Sequence, residues 1–335
     1  MQPLVTVLMP VYNAEKFLSE AIESILHQTF SDFEFLIIND GSTDNSLDII
    51  KSYDDSRIRV VENDKNIKLI ATLNKGFDLA KGAYICRMDA DDISILSRLE
   101  KQTAVMLQNT DIIACGSWIE NFDDTYNKSI TKYEEQHDDI RIRTLYQNHI
   151  CHASTLLNKS LIDKYNIRFD SNFIHSEDYY FFVRLSELGM LYNIQEPLLR
   201  VRKHSNNVSV LNTKAQNENS INVINYQLNK IGIDASNIDY NLYFRFFYAS
   251  FDFNKEEIEI IENIIFYIIE ANQKSNYLSN KKLTDFLCEK WYHLCFNATT
   301  DGMWIYEKFE KSKLSKYYKI NKYKKVRLLI KSIIK

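Results

Sequence analysis

The acid chemistry of this sequence is concentrated in one short run. Asp89-Ala90-Asp91-Asp92 places three carboxylates in four positions directly after the apolar run Ala83–Met88. Carboxylates that close repel one another, and gathering them is costly without a cation. A hard divalent ion such as Mg2+ or Mn2+ takes oxygen ligands and is commonly shared between carboxylates and substrate phosphate oxygens. The same run also reads as an acidic turn capping a helix that begins near Ser94 or Ile95, and spacing alone leaves both readings open. A second acidic pair, Glu177-Asp178, stands before the apolar helical pattern Tyr179–Leu185, where negative charge favours the helix dipole. His204 follows the strand-like run Pro197–Arg202.

The elements that must position these groups alternate in type. Leu4–Met9, Phe33–Ile38, Ile58–Glu62 and Ala83–Met88 read as strands, and Ala14–Gln28 and Leu69–Ala80 as helices. A further helix follows Asp40-Gly41, with Ser42 or Thr43 as its expected cap. Continuous apolar strands separated by helices predict a parallel sheet covered on both faces, and such sheets bind ligands beyond the carboxyl ends of their strands. Polar groups fall at three of those ends: Asn13, Asp40, and the Asp89/Asp91/Asp92 cluster. From about 111 to 209 the pattern is mixed. Beyond a boundary placed near 212 it is nearly all helical, with helices expected over Ala215–Lys230, Tyr240–Phe251, Glu256–Ala271 and Lys281–Phe296.

Composition narrows the class. The hydrophobic content of 45% and charged content of 26% are ordinary for a globular chain, and 7 Gly and 3 Pro leave little room for linkers. The five cysteines are scattered without zinc spacing and read as reduced core thiols. Neither a signal peptide nor a bilayer-spanning run is apparent, so the expected location is cytoplasmic. The net charge of −4 conceals an asymmetry: Tyr306–Lys335 carries eleven Lys/Arg against Glu307 and Glu310, a net +9, which leaves −13 for the rest. Val326, Leu329, Ile330, Ile333 and Ile334 recur in that tail at helical spacing, which suits an anionic membrane surface; the acidic body disfavours nucleic acid as a partner.

Several ordered motifs together resemble family 2 glycosyltransferases of the GT-A fold. They are Val7 to Asn13, Gln28-Thr29-Phe30, Asn39 to Asp44, Asn74-Lys75-Gly76 with Ala80 to Ile85, Arg87 to Asp92, His175 to Asp178, and Arg202-Lys203-His204. The resemblance covers about Leu4 to Ser209. It implies a GT-A catalytic domain over 1–212, with a nucleotide-sugar half to about 110 and an acceptor half after it. A helical region over 213–335 then ends in the basic tail. The implied activity is metal-dependent, inverting transfer of a hexose or N-acetylhexosamine from a UDP-sugar. The implied acceptor is a saccharide or lipid-linked molecule, in bacterial polysaccharide or lipooligosaccharide synthesis at the inner face of the membrane.

Carried over position by position, Pro10, Tyr12 and Asn13 meet the base and ribose, and Asp40 the uracil ring. Asn39 stands where the family usually has a first Asp. Lys68 faces base or phosphate, or is simply solvated. Asp89 and Ala90 lie by the ribose or sugar, Asp91 and Asp92 hold Mn2+ or Mg2+, and His204 completes the metal shell. Asp178 is the implied general base, while Glu177, His152 and Ser154 fall on the acceptor side.

Two alternatives have sequence-level tests. A sugar-phosphate nucleotidyltransferase predicts a Gly-rich N-terminal phosphate loop, where this chain has Pro10 to Phe17 instead. A catalytically inactive membrane scaffold predicts loss of the acidic cluster or Asp178, and both are present. No GxGxxG or P-loop pattern occurs, which argues against dinucleotide enzymes and P-loop ATPases.

Overall fold

Two apolar runs set the centre of the sheet. Val5–Val11 (β1) buries every residue but the part-buried Pro10, and Phe33–Asn39 (β2) buries all seven. The polar members of these strands are paired: Thr6 Oγ1 donates to Glu34 Oε1 at 2.6 Å, and Glu34 also receives Lys81 N at 2.7 Å and Arg59 Nε at 3.0 Å. The computed structural model describes residues 2–123, 125, 128–204, 213–248, 252–298, 301–318 and 320–334. The end of the resemblance, 205–209, and the expected boundary near 212 lie outside them.

The chain divides into two compact units, Met1–Val223 and Ile224–Lys335. In the first, the order continues through α1 (Leu18–Leu26), α2 (Ser46–Lys51), β3 (Ile58–Glu62), α3 (Leu69–Leu79), β4 (Tyr84–Arg87), β5 (Ile93–Ser94) and α4 (Arg98–Gln108). Then come β6 (Ile112–Phe122), β7 (Lys128–Thr131), α5 (His137–Arg143), β8 (Leu156–Asn158), α6 (Lys159–Lys164), α7 (Glu177–Ser186) and β9 (Met190–Arg202).

These strands form one mixed sheet in the order β3-β2-β1-β4-β8-β6-β9-β5, with β7 on β6. The β3-β2-β1-β4 half is parallel, as expected for strands joined by helices. β8 enters antiparallel between β4 and β6, while β6 and β9 are parallel. Alternate residues feed two cores. Val5, Val7, Met9, Phe35 and Ile37 pack with α1, α2 and α4 residues, and Leu8, Leu36 and Ile38 with α3 and α7 residues such as Phe77 and Phe181.

Pairing of β1 with β4 stops at Leu8–Arg87, while β1 and β2 stay paired to Val11–Asn39. The strand ends therefore diverge, which opens a crevice at the carboxyl edge.

Two expected helix starts are corrected. Neither Ser42 nor Thr43 caps α2, which begins at Ser46: Ser42 Oγ accepts from Asn13 N at 3.1 Å, and Thr43 N donates to Asn13 Oδ1 at 2.8 Å. The turn is tied across to the end of β1 rather than to its own helix. Nor does a helix begin at Ser94 or Ile95. Ile93 and Ser94 pair with Arg200 and Leu199 as β5, and α4 starts at Arg98. The acidic run is thus not a helix N-terminus.

The second unit continues α8 (Thr213–Ile231) with α9 (Tyr240–Phe247), α10 (Lys255–Ser275), α11 (Asn280–Asn297), α12 (Met303–Glu310) and α13 (Lys322–Ile333). α10 opens on a capping box between Asn254 and Glu257 and closes on Asn276 in the left-handed region, at φ 51°. Its Ile258, Ile261, Ile265 and Ile268 are buried, as are Leu287 and Trp291 of α11.

Gly41 has φ +67°, and a Cβ there would lie 2.7 Å from Lys65 C and 2.8 Å from Asn66 N. Gly41→Ala should destabilise the first unit by about 1–2 kcal/mol from the backbone conformation alone, read as a lower denaturation midpoint. An unchanged midpoint would refute the tight approach.

Candidate active site

The diverging strand ends create a cavity of about 540 Å³. It is lined by every residue predicted for the donor side (Pro10, Tyr12, Asn13, Asp40, Lys68, Asp89 and Ala90) together with Asp91 and His204. Tyr12 is 48% exposed and lines this cavity. Asp40, only 3% exposed, has a structural task of its own. Its Oδ1 accepts from Asn63 Nδ2 at 2.8 Å and Ile67 N at 2.9 Å, and its Oδ2 from Lys68 N at 3.0 Å. The carboxylate thereby holds the 66–68 turn, with Lys68 at φ 75°, against the end of β2. Asn66 of that turn also lines the cavity, a position no sequence motif marked.

One oxygen from each of Asp89, Asp91 and Asp92 falls within 4.8 Å of the other two. Three arginines organise the turn that carries them. Arg87, itself buried, ion-pairs with Asp89. Arg98, fully buried at the start of α4, donates Nη2 to Arg87 O at 2.8 Å and Nε to Gln102 Oε1 at 3.0 Å. Arg202, from the end of β9, donates its backbone N to Asp92 Oδ1 at 3.0 Å and Nε to Asp91 O at 3.1 Å. Its Nη2 reaches Glu20 at 2.7 Å. The guanidinium lies 4.4 Å from the centre of the Phe17 ring, which also packs 5.2 Å from the His204 ring. His204 Nε2 sits 2.9 Å from Asp91 Oδ2.

Burial, followed by the charge of Asp89, raises the Asp91 carboxyl above its usual range, although the His204 contact opposes this. The same causes push Asp92 well above its usual value, with Arg202 N opposing. Despite its arginines, the cluster is short of positive charge. A hard divalent cation fits that shortage and the O/N donor set. Asp89 is the most open of the three carboxylates but is ion-paired to Arg87, Asp91 is part-exposed beside His204, and Asp92 is 3% exposed and already bonded to Arg202 N.

A second cavity of about 400 Å³ shares Asp89, Asp91 and Leu69 with the first. Its wall adds Arg87, Asp92, His152, Glu177 and Asp178. Asp178 opens α7, where Tyr179 N donates to its Oδ1 at 2.7 Å and Asn148 Nδ2 to its Oδ2 at 3.1 Å. Burial first, and then Glu177, raise its pKa to about 6. Glu177 is raised too, mainly by burial.

Burial and then the Arg87 charge hold His152 well below its usual value, so the ring is neutral; its buried Nε2 has no hydrogen-bond partner among the described residues. His175, at φ 67°, also lines this wall. Ser154 does not line it. It is fully buried, with its hydroxyl donating to Cys151 O at 2.9 Å and accepting from Ser117 N at 3.2 Å. Arg87 and His175 fall within the sequence motifs but have no role assigned from them, and Asn148 lies in no motif, because a single polar residue carries no spacing signal of its own.

Two outcomes follow from this geometry. Because folding raises the Asp178 pKa, its stability contribution is present at low pH and is lost as pH rises through about 6. Asp178→Asn should therefore melt higher than wild type at pH 8, with the gap closing at pH 4; equal melting at both would refute the desolvated carboxylate. Arg202→Lys keeps the charge but loses the forked reach to Asp91 O and Glu20. Mn2+ affinity measured by calorimetry should fall by about tenfold.

The sequence model of the family described as "Glycosyl transferase family 2" matches residues 6–165. An uncharacterized glycosyltransferase of Haemophilus influenzae is 34% identical, over 71% of this chain and 78% of its own length. The Escherichia coli UDP-Glc:alpha-D-GlcNAc-diphosphoundecaprenol beta-1,3-glucosyltransferase WfgD is 31% identical, over 54% of this chain and 69% of its own. Among solved structures, Staphylococcus aureus TarS 1–349 in complex with UDP-GlcNAc superimposes with a TM-score of 0.54 at 16% identity, covering 95% of this chain and 93% of that one. The helix-flanked mixed sheet is the GT-A fold, and the chain belongs to glycosyl transferase family 2.

Proposed function

We propose that the protein transfers a hexose or N-acetylhexosamine, with inversion, from a UDP-sugar to a saccharide or lipid-linked acceptor during bacterial polysaccharide or lipooligosaccharide synthesis. One observation carries the reading: Asp89 and Asp91 line both cavities, and only the second cavity also holds Asp178. The first then takes the nucleoside diphosphate, the second takes the acceptor, and the sugar bridges the shared wall. The UDP-GlcNAc bound by TarS and the diphosphoundecaprenol-linked acceptor named for WfgD support a UDP donor and a lipid-linked acceptor.

In this reading Tyr12 stacks on the base, while Asp40 and Asn13 keep the surrounding turns in place. The Asp178 carboxylate takes the proton of the acceptor hydroxyl. That oxygen bonds to C1 of the sugar as the C1–O bond to the diphosphate breaks on the opposite face, and UDP leaves with the electron pair. Bound at Asp91 with His204, and with Asp89 and Asp92 beside it, Mn2+ or Mg2+ would stabilise the charge growing on the departing diphosphate. A diphosphate leaves unprotonated, so one base suffices, unlike the paired carboxylates of glycosidases. Glu177 and His152 face the acceptor, and the neutral His152 ring is suited to a sugar hydroxyl. The enzyme is further proposed to work as a peripheral protein at the inner face of the cell membrane. No described helix is long and apolar enough to cross a bilayer.

Released UDP, measured across a panel of UDP-sugars with Mn2+, tests the activity. Asp91→Ala should lower turnover by at least about 100-fold and uncouple UDP binding from Mn2+; unchanged turnover would remove Asp91 from the mechanism. Asp178→Asn should lower kcat by about 10²–10⁴-fold and leave UDP affinity intact. In the wild type, kcat/KM should climb with pH up to about 6 and then level. A flat profile from pH 4 to 8 would exclude Asp178 as base. UDP binding that ignores Mn2+, with no transfer, would favour an inactive scaffold.

A further inference from the structure

Within the second unit, α13 buries Leu328 and Ser332. At 3.6 residues per turn, Ile333, Val326, Ile330 and Tyr323 fall within about 80° of one another on the nearly opposite face. These four residues and Ile334 are each between 49% and 78% exposed. Lys322 borders the stripe on one side and Arg327 on the other, and residues 322–333 contain no Asp or Glu. Leu329, which the sequence pattern placed with this face, is part-buried on its edge.

The charge of the tail is distributed differently from what its composition implies. Among the described residues, five of its cations are paired with carboxylates of the same unit: Lys308 with Glu262 at 2.8 Å, Lys311 with Glu307 at 3.2 Å, Lys316 with Glu270 at 2.8 Å, Lys324 with Glu289, and Lys325 with Glu310. The three pairs made with acids outside the tail, Glu262, Glu270 and Glu289, weaken the long-range field that a run of net +9 would otherwise present. What α13 turns outward is a contiguous apolar stripe between two basic flanks. Long cationic side chains beside an apolar face can bury their stems and leave their heads at a polar boundary.

We infer that α13 docks on an anionic lipid surface by inserting Tyr323, Val326, Ile330 and Ile333 into the boundary between headgroups and acyl chains. Lys322 and Arg327 then lie at the level of the lipid phosphates. This rests on the proposed peripheral membrane site and names the surface that makes the contact, with insertion rather than charge as the main anchor. A second copy of the helix is a poorer occupant, because Lys322 and Arg327 beside the stripe would meet like charges across the contact, with no acidic side chain on 322–333 to offset them. An anionic lipid surface complements both the stripe and its flanks.

Co-sedimentation of the full chain with phosphatidylcholine vesicles, with and without phosphatidylglycerol, tests this. Wild type should bind both, more tightly with phosphatidylglycerol, and should keep most of its binding in high salt. Val326→Glu with Ile330→Glu should weaken binding at least about tenfold at any salt. Lys322→Ala with Arg327→Ala should remove only the preference for phosphatidylglycerol. Circular dichroism confirms folding of each variant.

Wild type that fails to bind, or binding unchanged in the Val326/Ile330 variant, would overturn the inference. So would binding abolished by salt, or a solution dimer that the apolar variant dissociates. UDP release with a soluble acceptor, measured on the same samples, separates the two readings. Vesicle binding without transfer counts against the proposed activity alone, and transfer without vesicle binding against the docking surface alone.

Discussion

The structure of the first unit depends on keeping mutually repelling carboxylates in a single turn. Asp89, Asp91 and Asp92 follow a buried strand, and their oxygens gather within 4.8 Å. Three arginines from three elements make that possible: Arg87 from β4, Arg98 from the start of α4, and Arg202 from the last turn of the β9 ladder. Each does something different. Arg87 offsets charge, Arg98 grips the backbone entering the turn, and Arg202 bonds the turn's backbone while stacking on Phe17, whose ring supports His204. The short β5 strand, paired with β9, draws the chain back across the sheet and brings Arg202 within reach. The cluster remains under-neutralised, and that deficit is what suits it to a cation.

Two cavities with opposite demands meet at this turn. At the first cavity, Asp40 holds the 66–68 turn in a conformation that its own backbone does not favour. On the other side, Arg87 and Lys203 stand among five carboxylates, and burial raises the Asp178 pKa to about 6. A carboxylate held near neutrality is costly to the fold at physiological pH, but it is well matched to removing a hydroxyl proton. The same wall contains the His152 Nε2, without a partner among the described residues, and the positive-φ His175, so strain and a missing bond fall together on it.

In the second unit, electrostatics serves the fold. The buried Glu262 accepts from Ser312 Oγ at 2.6 Å and Lys313 N at 2.8 Å, and pairs with Lys308 at 2.8 Å. The lysine-rich segment supplies the cations that the acidic faces of α10 and α11 lack. A charge run that looks like a binding tail in the sequence is, in large part, the complement of the unit's own acids.

Much was legible in the sequence because the relevant signals are local. Unbroken apolar runs give the parallel strands through residue period, and clustered acids at strand ends mark the ligand edge. Asp40, Asp91 and Asp178 stand out by type and position, while Tyr12 and the role of Asp178 come from the family resemblance. The two helix starts read wrongly, at Ser42 and at Ser94, failed because a local cap competed with a distant partner: Asn13 took the Ser42 turn, and β9 took Ile93–Ser94. The sequence by itself determined which residues could do chemistry and the elements that carry most of them. Only the tertiary structure decided that Asn148 joins them and what Arg87 and His175 do there, which cations of the tail are paired, and which face of the last helix is outward. Those outcomes depend on contacts between residues far apart in the chain, which neither period nor spacing encodes.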